Sequence, residues 1–518
     1  MSLSRRTFLA LAAASSAAAQ QPAARQAKLS FRLDGSGPQI SKHVYGHFAE
    51  HLGHCIYGGI WVGPDSPIPN TRGIRNDIVA ALRKMRIPNL RWPGGCFADQ
   101  YDWRAGIGPR EDRPRSVNIH WGGVVEDNAF GTHEFMDLCE QCGADPYVAA
   151  NVGSGTPREM ADWIEYITHP GDSSMAELRR KNGRDKPWKI PFLGVGNENW
   201  GCGGNMTADY YADLYRRFAV YARNYGDNKM MRVAGGPSGG DLDWIETLMR
   251  RIPSNMEAVS LHFYTIGSSV WNEKVPSTGF EEDDWIKILN HALFMETLVS
   301  DSIQIMDEHD PDGKVKLYVD EWGTWYSPEP GRNPSFLYQE NTIRDALVAA
   351  LTLHIFHNHA KRVTLANLAQ LVNVLQAPIL TEGDKMVLTP TYHVLEMFKD
   401  HQDATALPLK LETDYYVHGE SAMPALSASA SRGADGAVTL TLANVDAEAP
   451  LTLAAELGGK APTKVEGRIL AGATMDARNT FADPDQVVPK PFTGATLTGS
   501  SLRLTAPPRS VIALKLRS

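Results

Sequence analysis

Between residues 41 and 380, short apolar runs alternate with longer amphipathic stretches. The runs lie at 44–50, 89–94, 145–151, 192–198, 232–236, 258–264, 316–321 and 363–371. Each is rich in apolar residues, the pattern of a parallel strand covered on both faces. Between them apolar positions recur at three and four residues. This spacing predicts helices at 75–85, 133–141, 157–167, 207–225, 242–250, 285–307 and 338–359. Thr207, Asp241 and the pair Thr156-Pro157 supply helix-start signals. Eight strands alternating with helices predict an α/β fold, a (β/α)8 TIM barrel with insertions. The rival is an open doubly wound sheet, which places a glycine-rich phosphate turn after its first strand. No such turn follows residues 44–50, and Gly194-Val195-Gly196 lacks the third glycine of a dinucleotide site.

After about Gly383 the period changes. Short β-rich runs appear at 415–418, 426–430, 437–443, 451–453, 464–470, 502–504 and 510–515, separated by turn residues such as those at 432–436. Evenly spaced short strands predict an antiparallel β-sandwich. The run at 27–33 can supply one more strand to it. The expected organisation is a leader at 1–27, a joining strand at 28–40, a barrel at 41–383 and a C-terminal sandwich at 384–518.

The leader contains Ser4-Arg5-Arg6-Thr7-Phe8-Leu9, followed by a short apolar stretch and by Ala17-Ala18-Ala19. This is the form of a twin-arginine signal peptide and predicts a periplasmic or secreted protein. Net charge is −9, which argues against nucleic acid as a partner. No apolar stretch after the leader approaches the roughly 20 residues that span a bilayer, so no membrane partner is expected. The cysteines are Cys55, Cys96, Cys139, Cys142 and Cys202, and an odd number is a poor disulfide framework. They read as packing residues, with a Cys55–Cys96 pair left open because both lie near strand ends.

Two of the predicted strands end on a glutamate: Glu198 in Gly196-Asn197-Glu198-Asn199-Trp200, and Glu321 in Asp320-Glu321-Trp322. Carboxyl ends of barrel strands are where such folds place their chemistry. Two carboxyls facing each other across a pocket can hydrolyse a glycosidic bond, one protonating the leaving oxygen and the other attacking or activating water. Twelve Trp and seventeen Tyr suit a protein that stacks on sugars. His43, His47, His51 and His54 have helical spacing, but in an extended strand residues four apart stand about 13 Å from each other, so neither a metal site nor a cofactor is predicted. His354, His357 and His359 read as core or surface helix histidines.

With these motifs the chain resembles the family 51 glycoside hydrolases, a group dominated by α-L-arabinofuranosidases. The resemblance rests on the segments at 45–53, 90–95, 196–198, 320–322 and 369–374 and spans residues 28–518. It implies a retaining, exo-acting enzyme acting on arabinose-containing plant polysaccharides or oligosaccharides, and it is compatible with a homo-oligomer. By motif, Glu198 matches the acid/base and Glu321 the nucleophile. Glu50 matches a glutamate that binds sugar hydroxyls, Arg91 the arginine that keeps the nucleophile region ionised, and Asn197 the asparagine beside the acid. Tyr264 matches the tyrosine beside the nucleophile and Gln370 a sugar-binding glutamine. After Pro93-Gly94-Gly95 many members carry a sugar-binding asparagine, where this chain has Cys96. A thiol there predicts a weakened sugar contact. Another retaining glycosidase on the same scaffold, a β-xylosidase or endo-β-1,4-glucanase, is the alternative, and a non-catalytic carbohydrate-binding protein is a second.

Overall fold

The computed structural model describes residues 22–517. Eight parallel strands close into a barrel in chain order: Gly46–Phe48, Asn89–Trp92, Asp145–Ala150, Phe192–Val195, Met231–Ala234, Ala258–Thr265, Lys316–Thr324 and Val363–Leu368, the last pairing with the first. They are called strands one to eight below. The barrel predicted from the alternating pattern is the observed fold. Its interior beneath the site is plugged by Tyr147, Phe192, Val233, Ala258, Tyr318 and Leu365. Each comes from a different strand, so the lower barrel is a packed core and the open end is the upper one.

Nine α-helices are described: α1 Asn76–Met85, α2 Thr132–Cys142, α3 Pro157–Thr168, α4 Ser174–Lys181, α5 Ala208–Ala219, α6 Leu242–Arg251, α7 Glu282–His309, α8 Ile343–Asn358 and α9 Pro390–Phe398. Several begin where the sequence signals. Thr156 accepts from the Glu159 amide while Glu159 reaches back, with Pro157 at the first position. Thr207 and Asp241 cap α5 and α6. Helix α8 starts later than expected, at Ile343, because Thr342 and Asp345 form a reciprocal cap there.

Three boundaries differ from the sequence reading. The first barrel strand is shorter than 44–50, since Lys42–Tyr45 is a 3-10 turn capped by Ser41. The barrel does not end at 383, because α9 packs between α8 and α1 and completes the ring. The expected leader at 1–27 lies mostly outside the described residues, but Arg25–Arg32 forms a strand, so residues 25–27 belong to the fold.

The C-terminal unit is the predicted sandwich. One sheet has five strands and the other six. Strand Arg25–Arg32 runs parallel to Leu451–Gly458 and antiparallel to Leu409–Thr413, so it sits inside the five-stranded sheet. Helix α8 is buried on nearly every face, because the six-stranded sheet covers its outer side. There His354 bonds Ser427 and Thr441, His357 bonds Ser429 and Tyr45, and His401 bonds Ser431 and Thr441. Burial pushes His354 and His401 down to about 3. These imidazoles are neutral hydrogen-bonding groups of the interface.

Candidate active site

Glu198 and Glu321 lie together at the open end of the barrel. One oxygen of each, with a ring nitrogen of His262, all fall within 4.8 Å of one another. Glu198 follows strand four through Gly196, whose φ is +92°. A side chain at Gly196 would also strike Asn199, so only glycine fits. Glu198 itself has a φ of +43°, a conformation uncommon for a residue with a side chain. The loop over-determines it: the amides of Gly201 and Gly203 donate to the Glu198 carbonyl, and the Met206 amide donates to that of Asn199.

Glu321 arrives differently. Strands six and seven pair Ser260 with Tyr318 and then His262 with Glu321, so strand seven holds one extra residue. This bulge lets the consecutive residues Asp320 and Glu321 both reach Arg91, although a regular strand would send them to opposite faces. Arg91 donates to Glu321 at 3.0 Å, to the Asp320 carbonyl at 3.2 Å and to the Asn197 side-chain oxygen. Tyr264 donates its hydroxyl to Glu321 at 2.8 Å. Burial pushes the Glu321 carboxyl up, and the Glu198 charge adds to it, while His262 and Arg91 pull it back. Arg91 lowers this group as expected, but burial wins the balance.

His262 is the central residue that the sequence reading passed over. Its Nδ1 lies 2.9 Å from Glu198 and 3.5 Å from Glu321, and its Nε2 lies 3.2 Å from Asp320. Burial disfavours its charge, but Glu321, Asp320 and Glu198 outweigh that and hold it up at about 10. It is an imidazolium wedged between the two glutamates. Asp320 sits at about 2, because Arg91 and His262 overcome its burial. A signal was present: His262 is two residues from Tyr264, and positions two apart on a strand share a face.

Glu50 accepts from the Phe97 amide at 2.9 Å, Trp121 Nε1 at 2.8 Å and Gln370 Nε2 at 2.8 Å. Burial pushes it up to about 7. Gly95 completes this wall; a Cβ there would stand 2.9 Å from a Glu321 oxygen and 3.3 Å from one of Glu50. The Nδ2 of Asn197 and the Oε1 of Gln370 are buried without a partner, two polar groups waiting for something to bond. Trp121 stands on a hairpin between Ser116–Val117 and Val125–Glu126, and no periodic signal announces it. Asp99 was also missed; it accepts from the amides of Val152, Gly153 and Asn197 and so locks three loops together.

Cys96 corrects the sequence reading twice. It is bonded to Cys202, and Cys55 is a free buried thiol along with Cys139 and Cys142. Cys96 is therefore neither a packing thiol nor a weak sugar donor, since a disulfide has no S–H. Its sulfur lies 3.9 Å from Glu198 and that of Cys202 lies 3.5 Å away, so the bridge packs against the carboxyl. It ties the loop after strand two to the loop that carries Glu198. The other grouped histidines do not converge: His51 faces Glu126, and His47 is buried without a partner.

This geometry can be set against known proteins. The α-L-arabinofuranosidase 1 domain profile matches residues 81–274, and the α-L-arabinofuranosidase C-terminal domain profile matches 320–510. An intracellular exo-α-L-arabinofuranosidase of Bacteroides ovatus is 48% identical over 509 residues, covering 98% of each chain. The chain belongs to the α-L-arabinofuranosidases of glycoside hydrolase family 51. The crystal structure of the family 51 arabinofuranosidase from Xanthomonas axonopodis pv. citri superposes with a TM-score of 0.94 at 50% identity, covering 95% of this chain and 100% of that one. The arabinose complex of the Thermotoga maritima α-L-arabinofuranosidase gives 0.80 at 31% identity, covering 94% and 99%. These relatives overturn one expectation. A periplasmic or secreted location was read from residues 4–19, which lie outside the described residues, yet the Bacteroides ovatus relative matched over its full length is named intracellular.

Proposed function

We propose that this chain is a retaining, exo-acting α-L-arabinofuranosidase that releases terminal non-reducing arabinofuranose from arabinan, arabinoxylan or oligosaccharides derived from them. The observation that carries the reading is the approach of Glu198 and Glu321 to within 4.8 Å, oxygen to oxygen. Retention places the two carboxyls about 5–5.5 Å apart, while inversion needs about 6.5–9.5 Å to seat a water. Glu321 attacks the anomeric carbon as Glu198 gives its proton to the departing oxygen. A water deprotonated by Glu198 then attacks the same carbon and frees Glu321. With Arg91 and His262 cationic against Asp320 and Glu321, the buried cluster is charge-balanced when the proton for the acid step sits on Glu198.

Glu50 and Gln370 hold sugar hydroxyls, and the unpartnered atoms of Asn197 and Gln370 supply further contacts. Trp121 donates to Glu50 and brings its hairpin to the sugar-binding carboxylate. The partner is an arabinose-containing glycan. The test is a panel of nitrophenyl glycosides, with the configuration of the first product read by NMR. Preference for xyloside or glucoside over α-L-arabinofuranoside, or release of inverted arabinose, would replace this reading.

A further inference from the structure

An aromatic path leads from the nucleophile candidate to the surface. Tyr264, bonded to Glu321, meets Trp325 edge to face with centroids 5.0 Å apart. Trp325 meets Trp271 in the same manner at 4.9 Å. Lys274 places its ammonium 3.9 Å from the centre of the Trp271 ring and 5.4 Å from that of Trp325. Lys274 thus sits over the Trp271 ring, with Trp325 beside it. Trp271 is 49% exposed.

The platform is built rather than loose. The Trp325 amide donates to the Thr265 carbonyl and the Ser327 amide to that of Val275. Ser327 Oγ donates to the Lys274 carbonyl at 2.6 Å, and Lys274 donates to the Trp271 carbonyl at 2.7 Å. At its base, His291 accepts from the amides of Ile266 and Gly267. The loop after strand six is thus stapled to the loop after strand seven, and little order remains to be imposed when a ligand arrives.

Its position says what it meets. The groups around Glu50 come from strands one and eight and from the loops after strand two. In a ring of eight, strand six stands diametrically opposite strand two. The departing oxygen is protonated by Glu198 on strand four, so the leaving group extends away from the Glu50 wall, toward the loops after strands four to six. We propose that Trp271, backed by Trp325, is a stacking platform for a pyranose of the main chain that carries the arabinofuranose. The inference rests on the arabinofuranosidase reading and deepens it. A pyranose with equatorial hydroxyls presents a flat face of axial C–H bonds that covers an indole. A furanose main chain presents no such face. Trp271 therefore favours arabinofuranose borne on a β-1,4-linked xylose chain over arabinofuranose borne on an arabinan.

The test compares the intact chain with Trp271→Ala and Trp271→Phe on three substrates: an arabinofuranosyl xylo-oligosaccharide, a linear arabino-oligosaccharide and methyl α-L-arabinofuranoside, whose leaving group has no ring. Trp271→Ala should lower kcat/KM on the xylo-oligosaccharide about threefold to tenfold, mainly through KM, and change the other two less than about twofold. Trp271→Phe should recover part of the loss. Melting temperatures of both variants separate a lost contact from a damaged fold. Equal losses on all three substrates, or no loss on the xylo-oligosaccharide, would overturn the proposal. A wild-type chain inactive on every arabinofuranoside would instead remove the parent reading.

Discussion

Replacing His262 with Gln tests whether the imidazolium sets the charge state of the pair. His262 stands 3.5 Å from Glu321 and 2.9 Å from Glu198; His262 and Glu321 are buried and Glu198 is partly exposed. At an effective dielectric constant of about 20, a unit charge at that distance from Glu321 is worth about 5 kcal/mol. Water entering the shortened side chain's space screens part of this, leaving about 2–3 kcal/mol. At about 1.4 kcal/mol per pH unit, that is about two units. The sign follows from the mechanism. In the proposed mechanism Glu321 attacks only when ionised, and His262 favours its ionised form, so removing the cation lets the proton stay on to higher pH. The acidic limb of the kcat/KM profile on nitrophenyl α-L-arabinofuranoside should therefore move up by about two pH units, while the melting temperature falls because Asp320 loses a buried partner. Glutamine keeps a donor near Glu198, so the profile reads charge more than geometry. A variant with a lowered plateau but an unmoved acidic limb would refute the electrostatic account and leave His262 a structural role alone.

Other outcomes follow from the same geometry. Glu198→Gln should abolish the basic limb and spare substrates with good leaving groups far more than natural glycosides, and equal loss on both would contradict the acid role. Gly95→Ala places a methyl 2.9 Å from Glu321 and should cut kcat/KM more than tenfold with a melting temperature within a few degrees of wild type. Cys96→Ser removes a bridge spanning 106 residues and should cost up to about 4–5 kcal/mol in chemical denaturation, whereas alkylation of two further thiols in the untreated native protein would show that the bridge is absent. His354 and His401 titrate near 6.5 when unfolded but at about 3 when folded, so their contribution is complete above about pH 6.5 and is lost as pH falls toward 3. His262, held at about 10, works in the opposite sense, contributing fully below about 6.5 and fading as pH rises toward 10. Melting temperature should decline on both sides, and His401→Gln should flatten the acidic slope.

The sequence by itself determined the barrel and the sandwich, and it placed Glu198 and Glu321 at strand ends. The first two are written in the pattern: apolar-rich runs alternate with a 3.6-residue repeat up to about 380, and evenly spaced short β-rich runs take over afterwards. The glutamates were legible because barrel chemistry gathers at strand ends, a position readable from a local pattern. Glu50, Arg91, Asn197, Tyr264 and Gln370 came from motif resemblance, and the fold gathers them around the pair. Tertiary structure alone decided the rest. The bulge that turns Asp320 and Glu321 to the same side depends on the register between strands six and seven, which neither strand encodes alone. The bridge from Cys96 to Cys202 joins loops that meet only after the barrel closes. Trp121 reaches Glu50 from an irregular hairpin, α9 joins the barrel across the sequence boundary at 383, and Arg25–Arg32 pairs with a strand more than 400 residues later. Periodicity reports which face of an element is buried. It carries no information on which distant residue lies against that face, and the charge of His262, fixed by three carboxylates from two other strands, is of that second kind.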